Sequence, residues 1–260
     1  MIHVTRWGSR GPRVVLIHGG AQGSSLGGDR HFARQMILGE QGWRLLVPDR
    51  PGHGRSPAPG RPDDAEADGI WVAEMLGEGA HLVGHSFGGC VALAAAVRRP
   101  EAVRSLTLIE PGMLSLAITE SAVRKFVFRI LLARWFSFTA TSRMQRLSRI
   151  MGIPPEIRSG SDAGERQRMD AGMKRIRLPS RATLARELAS VRAAHIPLLV
   201  VSGGWNPGFE ATCDVVARHG NGRHVVIPSP HHFPHLISEE FNQLLQGFIG
   251  EAEAKASGLP

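Results

Sequence analysis

Ala80-His81-Leu82-Val83-Gly84-His85-Ser86-Phe87-Gly88-Gly89 is the stretch on which the reading of this chain turns. The apolar run ahead of Gly84 reads as a strand buried on both faces. The Ala-rich stretch from Phe87 to Pro100 reads as the helix that follows it. Between them Gly84-His85-Ser86-Phe87-Gly88 fits G-x-S-x-G, the spacing of a nucleophile elbow. A serine on so tight a turn holds a strained backbone, and its neighbours must lack Cβ atoms where strand and helix approach. The helix N-terminus behind it supplies positive potential and free N–H groups. Ser86 is therefore the candidate nucleophile.

Outward from this turn, similar short apolar runs recur at 14–18, 43–49, 105–111, 197–203 and 224–230. Each is bounded by Gly or Pro, or runs into a polar turn, as expected of strands in a parallel sheet covered by helices. Helical stretches at 63–79, 87–100, 180–195 and 238–250 alternate with them. The alternation fails from 114 to 179, where an apolar, Arg-studded segment at 121–151 precedes a polar one. That segment reads as a helical cap inserted over the carboxyl ends of the strands. The expected fold class is α/β, mostly parallel and doubly wound, with residues 1–113 and 180–260 as core and 114–179 as cap.

Four motifs together resemble the α/β-hydrolase superfamily: His18-Gly19-Gly20 after the first buried strand, the Pro48-Asp49 to Gly54-Arg55-Ser56 turn, the elbow, and His232-Phe233-Pro234-His235-Leu236. The resemblance implies an oxyanion hole from the backbone N–H groups of Gly20 and Phe87. It also implies a catalytic histidine after the last strand, where His232 followed by Phe233 fits best and His231 is the alternative. A histidine is the residue type required, because serine needs a base that works near neutral pH.

The acid departs from the common pattern. Where much of the family has an Asp after the next-to-last strand, the turn reads Gly203-Gly204-Trp205-Asn206, and Asn cannot stabilise an imidazolium as an anion does. Glu110 ends the strand that follows the elbow helix, and strand carboxyl ends face the ligand crevice. A buried Glu without a partner is costly. Some lactonases similar to zearalenone-degrading enzymes carry their acid here. The expected triad is Ser86, His232 and Glu110, with Asp214 as the alternative acid.

The 260 residues suit one α/β domain with an insertion. The net charge of +8 invites a nucleic-acid reading, yet Arg is spread along the whole chain with no basic run interleaved with aromatics. Two cysteines make no disulfide framework, and no apolar run reaches the ~18 residues of a membrane span. The N-terminus has no long apolar stretch, so a cytoplasmic location is the default. No metal-ligand spacing stands out, and neither metal nor cofactor is expected. His85, Trp135, Phe136 and Met144 are candidate pocket residues. Arg124, Lys125, Arg129 and Arg134 read as the solvated outer face of the cap, with membrane association as the alternative.

The expected activity is hydrolysis of a carboxylic ester or lactone of a hydrophobic or aromatic small molecule through an acyl-enzyme, without a cofactor. A carbon–carbon bond hydrolase, a thioesterase, and a non-hydrolytic binding protein or lyase are the alternatives. A homodimer is the open assembly.

Overall fold

The computed structural model describes residues 1–159, 162–237 and 239–256; positions 160, 161 and 238 and the last four residues lie outside the described ones. Among the described residues one seven-stranded sheet runs through the molecule. Its strands are β1 (Val4–Trp7), β2 (Arg13–Ile17), β3 (Arg44–Pro48), β4 (Ala80–His85), β5 (Val103–Ile109), β6 (Leu198–Ser202) and β7 (Arg223–Val226). The helices are α1 (Gly28–His31), α2 (Ala65–Met75), α3 (Phe87–Arg98), α4 (Ser121–Trp135), α5 (Ala140–Ile150), α6 (Pro155–Ser159), α7 (Ala163–Arg175), α8 (Arg181–Ala193), α9 (Pro207–Gly220) and α10 (Glu239–Ala256).

The strand order is β1-β3-β2-β4-β5-β6-β7, with only β1 antiparallel to its neighbour. After β2 the chain turns to one side to make β3, then crosses back to make β4 on the other side. β2 and β4 thus flank the topological switch point, the place where open α/β sheets bind ligands. The loops leaving these two strands carry His18-Gly19-Gly20 and Ser86.

Every residue of β4 is buried, as is every residue of β6, which is why apolar stretches, Leu82-Val83 in β4 and Leu198 to Val201 in β6, mark these strands in the sequence. One face of the sheet packs α2, α3, α8 and α9 through Leu82, Leu106, Leu93 and Val216; the other packs α10 through Val83, Leu199, Phe241 and Leu245. Truncating Leu82 to Ala would cost about 2–5 kcal/mol by the usual transfer and cavity terms. Helix starts follow their caps: Asp64, Thr139, Asp162, Ser180 and Asn206 each accept backbone N–H groups of the helix they open.

Residues 114–179 contribute α4 to α7 and no strand among the described residues. This segment touches three parts of the site region. Phe126 of α4 packs on Phe209 at the start of α9. The Gly152 carbonyl accepts the His232 N–H. Glu165 of α7 accepts both the N–H and the hydroxyl of Ser25, in the loop that follows Gly20.

Candidate active site

Ser86 sits between β4 and α3 at φ 56°, ψ −124°, a region that side chains rarely occupy. The turn survives because its glycines let strand and helix meet. A Cβ on Gly84 would lie 2.5 Å from the Gly88 carbonyl oxygen. The His18–Gly20 loop is pressed against the same serine, where a Cβ on Gly19 would stand 2.7 Å from Ser86 Cβ.

His232 and Glu110 meet across 122 residues of sequence. The imidazole Nδ1–H donates to Glu110 Oε2 at 2.5 Å, and both side chains are almost fully buried. The carboxylate is saturated by donors from β6 and its turn. Oε1 accepts Gly203 N–H at 2.8 Å, and the Trp205 indole N–H lies 2.9 Å from both oxygens. His232 Nε2 is buried and has no hydrogen-bond partner, so it is free to accept a proton. Phe209 packs on the His232 ring at 4.4 Å between centroids.

Asn206, at the place where an Asp was sought, has a structural task. Its side-chain oxygen caps α9 by accepting the N–H groups of Gly208 and Phe209. Asp214 is engaged with His224 Nδ1 at 2.6 Å on the surface. His231 bonds to Ser229 within its own turn. The indole of Trp205 was not legible as an acid partner, since nothing in Gly-Gly-Trp-Asn tells which way the ring points.

The His18–Gly20 loop is held by a histidine whose tautomer is fixed. Arg50 N–H donates to His18 Nε2 at 2.8 Å, so the proton of a neutral His18 lies on Nδ1, which donates to the Gly19 carbonyl at 2.7 Å. Burial, and then the Arg50 charge, push His18 down to about 3. In a trans peptide the C=O and N–H point opposite ways, so anchoring the Gly19 carbonyl aims the Gly20 N–H. The Arg50 guanidinium is itself buried, paired to Asp63 and Asp68, 4.4 Å above the Phe87 ring and 3.4 Å from the Gly20 carbonyl.

Of the residues expected to line a pocket, His85 is buried and its Nε2–H donates to the His232 carbonyl at 2.7 Å. Its Nδ1 then accepts His31 Nε2–H at 2.7 Å, and His235 stacks on His31 and packs at a tilt against His85. These three rings bring nitrogens within 4.8 Å of one another. The short His31–His85 contact is a hydrogen bond that occupies the lone pair a metal would need, so the set fits a packed stack better than a ligand set. Met144 is buried in α5. Trp135 and Phe136 depart from their expected place: they are 73% and 61% exposed, because α4 buries Val123, Phe126 and Ala133 and turns its opposite side outward.

Residues 12–143 match the alpha/beta hydrolase fold family. The chain is 36% identical over 115 residues to a 2-hydroxymuconate semialdehyde hydrolase of Pseudomonas sp. (strain CF600), covering 41% of this chain and 39% of that one. It is 33% identical over 151 residues to Lipase LipV of Mycobacterium tuberculosis, covering 56% and 54%. It thus spans about half or less of the length of these curated relatives. Among solved structures, the enol-lactonase from Burkholderia xenovorans LB400 superposes with a TM-score of 0.69 at 20% identity over 96% of each chain, a likeness of fold.

Proposed function

Because this chain belongs to the alpha/beta hydrolase family, we propose from that premise that it is a serine hydrolase of carboxylic esters or lactones, working through an acyl-enzyme with Ser86, His232 and Glu110. The observation that carries the reading is the buried His232 Nδ1–Glu110 pair, which leaves Nε2 unengaged. Ser86 Oγ attacks the acyl carbon while His232 Nε2 takes its proton. The oxyanion is met by the N–H groups of Phe87 and Gly20. The intermediate then collapses as His232 protonates the departing alkoxide. Water, deprotonated by the same nitrogen, releases the acid. Each oxyanion donor would contribute on the order of 2.7–4 kcal/mol. Glu110 holds the tautomer and stabilises the imidazolium.

The segment 114–179 serves as cap, and Phe209 against the His232 ring, with Phe126 packed behind it, favours an apolar acyl group. The partial relatives include a 2-hydroxymuconate semialdehyde hydrolase and a lipase, so the substrate panel sets carbon–carbon cleavage beside ester cleavage. A fluorophosphonate probe should label Ser86 in the wild type and fail on Ser86→Ala. A panel of p-nitrophenyl esters, macrolactones and vinylogous diketones should show turnover of the first two classes. Labelling that persists in Ser86→Ala would remove the nucleophile assignment, and turnover of the diketones alone would replace ester by carbon–carbon hydrolysis.

A further inference from the structure

The outward side of α4 has a composition that neither the triad nor the packing of the domain requires. Five of the twelve exposed large apolar side chains among the described residues fall within an eleven-residue stretch: Phe128, Leu131, Trp135, Phe136 and Phe138. Phe138 is 93% exposed. Phe128, Leu131 and Trp135 are spaced by three and four residues, so they form one stripe along the helix, opposite the buried Val123, Phe126 and Ala133. Exposed cations flank the stripe, with Lys125 and Arg129 to one side and Arg134 to the other; Arg124 leads it. Arg146 and Arg149 of α5 add exposed charge nearby. From Ser121 to Pro155 the sequence has seven Arg or Lys residues and no Asp or Glu.

From these features we infer that α4 and the turn behind it dock on an anionic lipid surface. Aromatic rings beside long cationic side chains match the layering of such a surface, where rings enter the headgroup region and the cations reach the phosphates. The charge disfavours the obvious alternative. Arg143 is taken up by Asp170, so a two-fold pairing of this face with a second copy would set the six exposed cations Arg124, Lys125, Arg129, Arg134, Arg146 and Arg149 against six with no acid from the same stretch to offset them. No helix among the described residues is long and apolar enough to cross a membrane, so the contact is peripheral. The helix that docks is also the one whose inner Phe126 packs on Phe209, which packs on His232. The surface therefore presents apolar acyl substrate beside the site, a consequence that rests on the hydrolase reading, whereas the docking itself does not.

The test uses the purified full chain and sedimentation with vesicles of phosphatidylcholine alone or in equal parts with phosphatidylglycerol. Binding to the mixed vesicles should need at least about tenfold less lipid than binding to the neutral ones, and should weaken as salt is raised. The double variant Arg129→Glu/Arg134→Glu and the single variant Phe138→Ser should each lose about tenfold or more of that binding. Both should hydrolyse p-nitrophenyl acetate in vesicle-free buffer like the wild type. Ser86→Ala should bind vesicles like the wild type, so loss of hydrolysis and loss of docking are read separately. Equal or absent binding to the two vesicle types would overturn the inference. So would binding indifferent to these substitutions, or a concentration-dependent dimer that Phe138→Ser abolishes.

Discussion

Replacing Glu110 by Gln keeps the size of the side chain and exchanges one acceptor oxygen for an NH2 group. The native carboxylate faces only donors: Gly203 N–H and the Trp205 indole at Oε1, and His232 Nδ1–H with the same indole at Oε2. The amide cannot satisfy both sides. If its NH2 takes the Oε1 place it opposes the Gly203 N–H, and buried donors face each other at a cost of about 1–3 kcal/mol. If it takes the Oε2 place it faces His232 Nδ1, which must then become the acceptor. The imidazole proton moves to Nε2, the nitrogen that has to receive the Ser86 proton. Either way the anion that stabilises the imidazolium is gone. By the logic of an amide replacing a triad acid, kcat should fall on the order of 10²–10⁴-fold, about 3–5.5 kcal/mol in the barrier. The assay is p-nitrophenyl ester hydrolysis, with active sites counted by fluorophosphonate labelling and folding checked by urea denaturation. A Glu110→Gln enzyme within tenfold of wild type, or a larger loss in Asp214→Asn, would refute the assignment of the acid.

Three further outcomes follow from the same contacts. Replacing His18 by Phe removes the anchor of the Gly19 carbonyl and should lower kcat about 10–100-fold with KM little changed, since a misaimed oxyanion donor is lost mainly in the transition state; steady-state kinetics checks this. Asn206→Ala should destabilise the protein by about 1 kcal/mol in urea through loss of the α9 cap, and leave kcat within a few-fold of wild type. Burial holds His18 and His235 at about 3 and His81 at about 4, and keeps His31, His53 and His85 well below their ordinary value. These groups are neutral when folded and take up protons on unfolding. Their contribution is therefore complete above the ordinary value near 6.5 and is lost as pH falls toward the folded values. Glu187, raised to about 7 chiefly by burial, acts in the opposite sense and cancels about one proton. The unfolding free energy in urea should still fall by at least about 1.4 kcal/mol per pH unit below pH ~6, and a flat profile would contradict the burial of these rings.

How much of this was legible follows from the physics of each element. The buried parallel strands β2 to β6 announce themselves as apolar runs because both of their faces are covered. β1 has no such run: it is a half-buried antiparallel edge strand of four residues, fixed by its ladder with β3 rather than by its own composition. The tight turn at Ser86 was readable because the elbow is a local motif, and the buried partner of Glu110 because a carboxylate ending a buried strand needs one. Trp205 and His18 were not readable in their observed tasks. Which atoms an indole or imidazole presents depends on distant backbone groups, here the Arg50 N–H and the carboxylate of Glu110. Trp135 and Phe136 show the reverse failure. Apolar residues in a cap suggest a pocket, yet only the register of α4 decides which of them turn inward.

The position of Glu110 gains a physical reason from the way the two turns support each other. Ser86 and Glu110 follow neighbouring parallel strands, and both have positive φ, 56° and 37°, an uncommon and costly conformation away from glycine. Such residues persist only where surroundings over-determine them. Here Ser86 N–H donates to the Ile109 carbonyl at 3.0 Å, and Gly112 N–H donates to the Ser86 carbonyl at 2.9 Å, so the two strained turns are laced together through the backbone. Glu110 N–H in turn donates to Val201 of β6 at 2.8 Å. A carboxylate on the β6 turn would reach His232 from a separate loop; one on β5 shares the framework that holds Ser86. The β6 turn instead supplies the Gly203 N–H and the Trp205 indole as donors to Glu110, so a neutral Asn206 costs the site nothing electrostatically. On this view Asn206→Asp would not restore a conventional acid. Its carboxylate would stay on the α9 N-terminus, where the helix dipole and the Gly208 and Phe209 N–H groups already hold the side-chain oxygen.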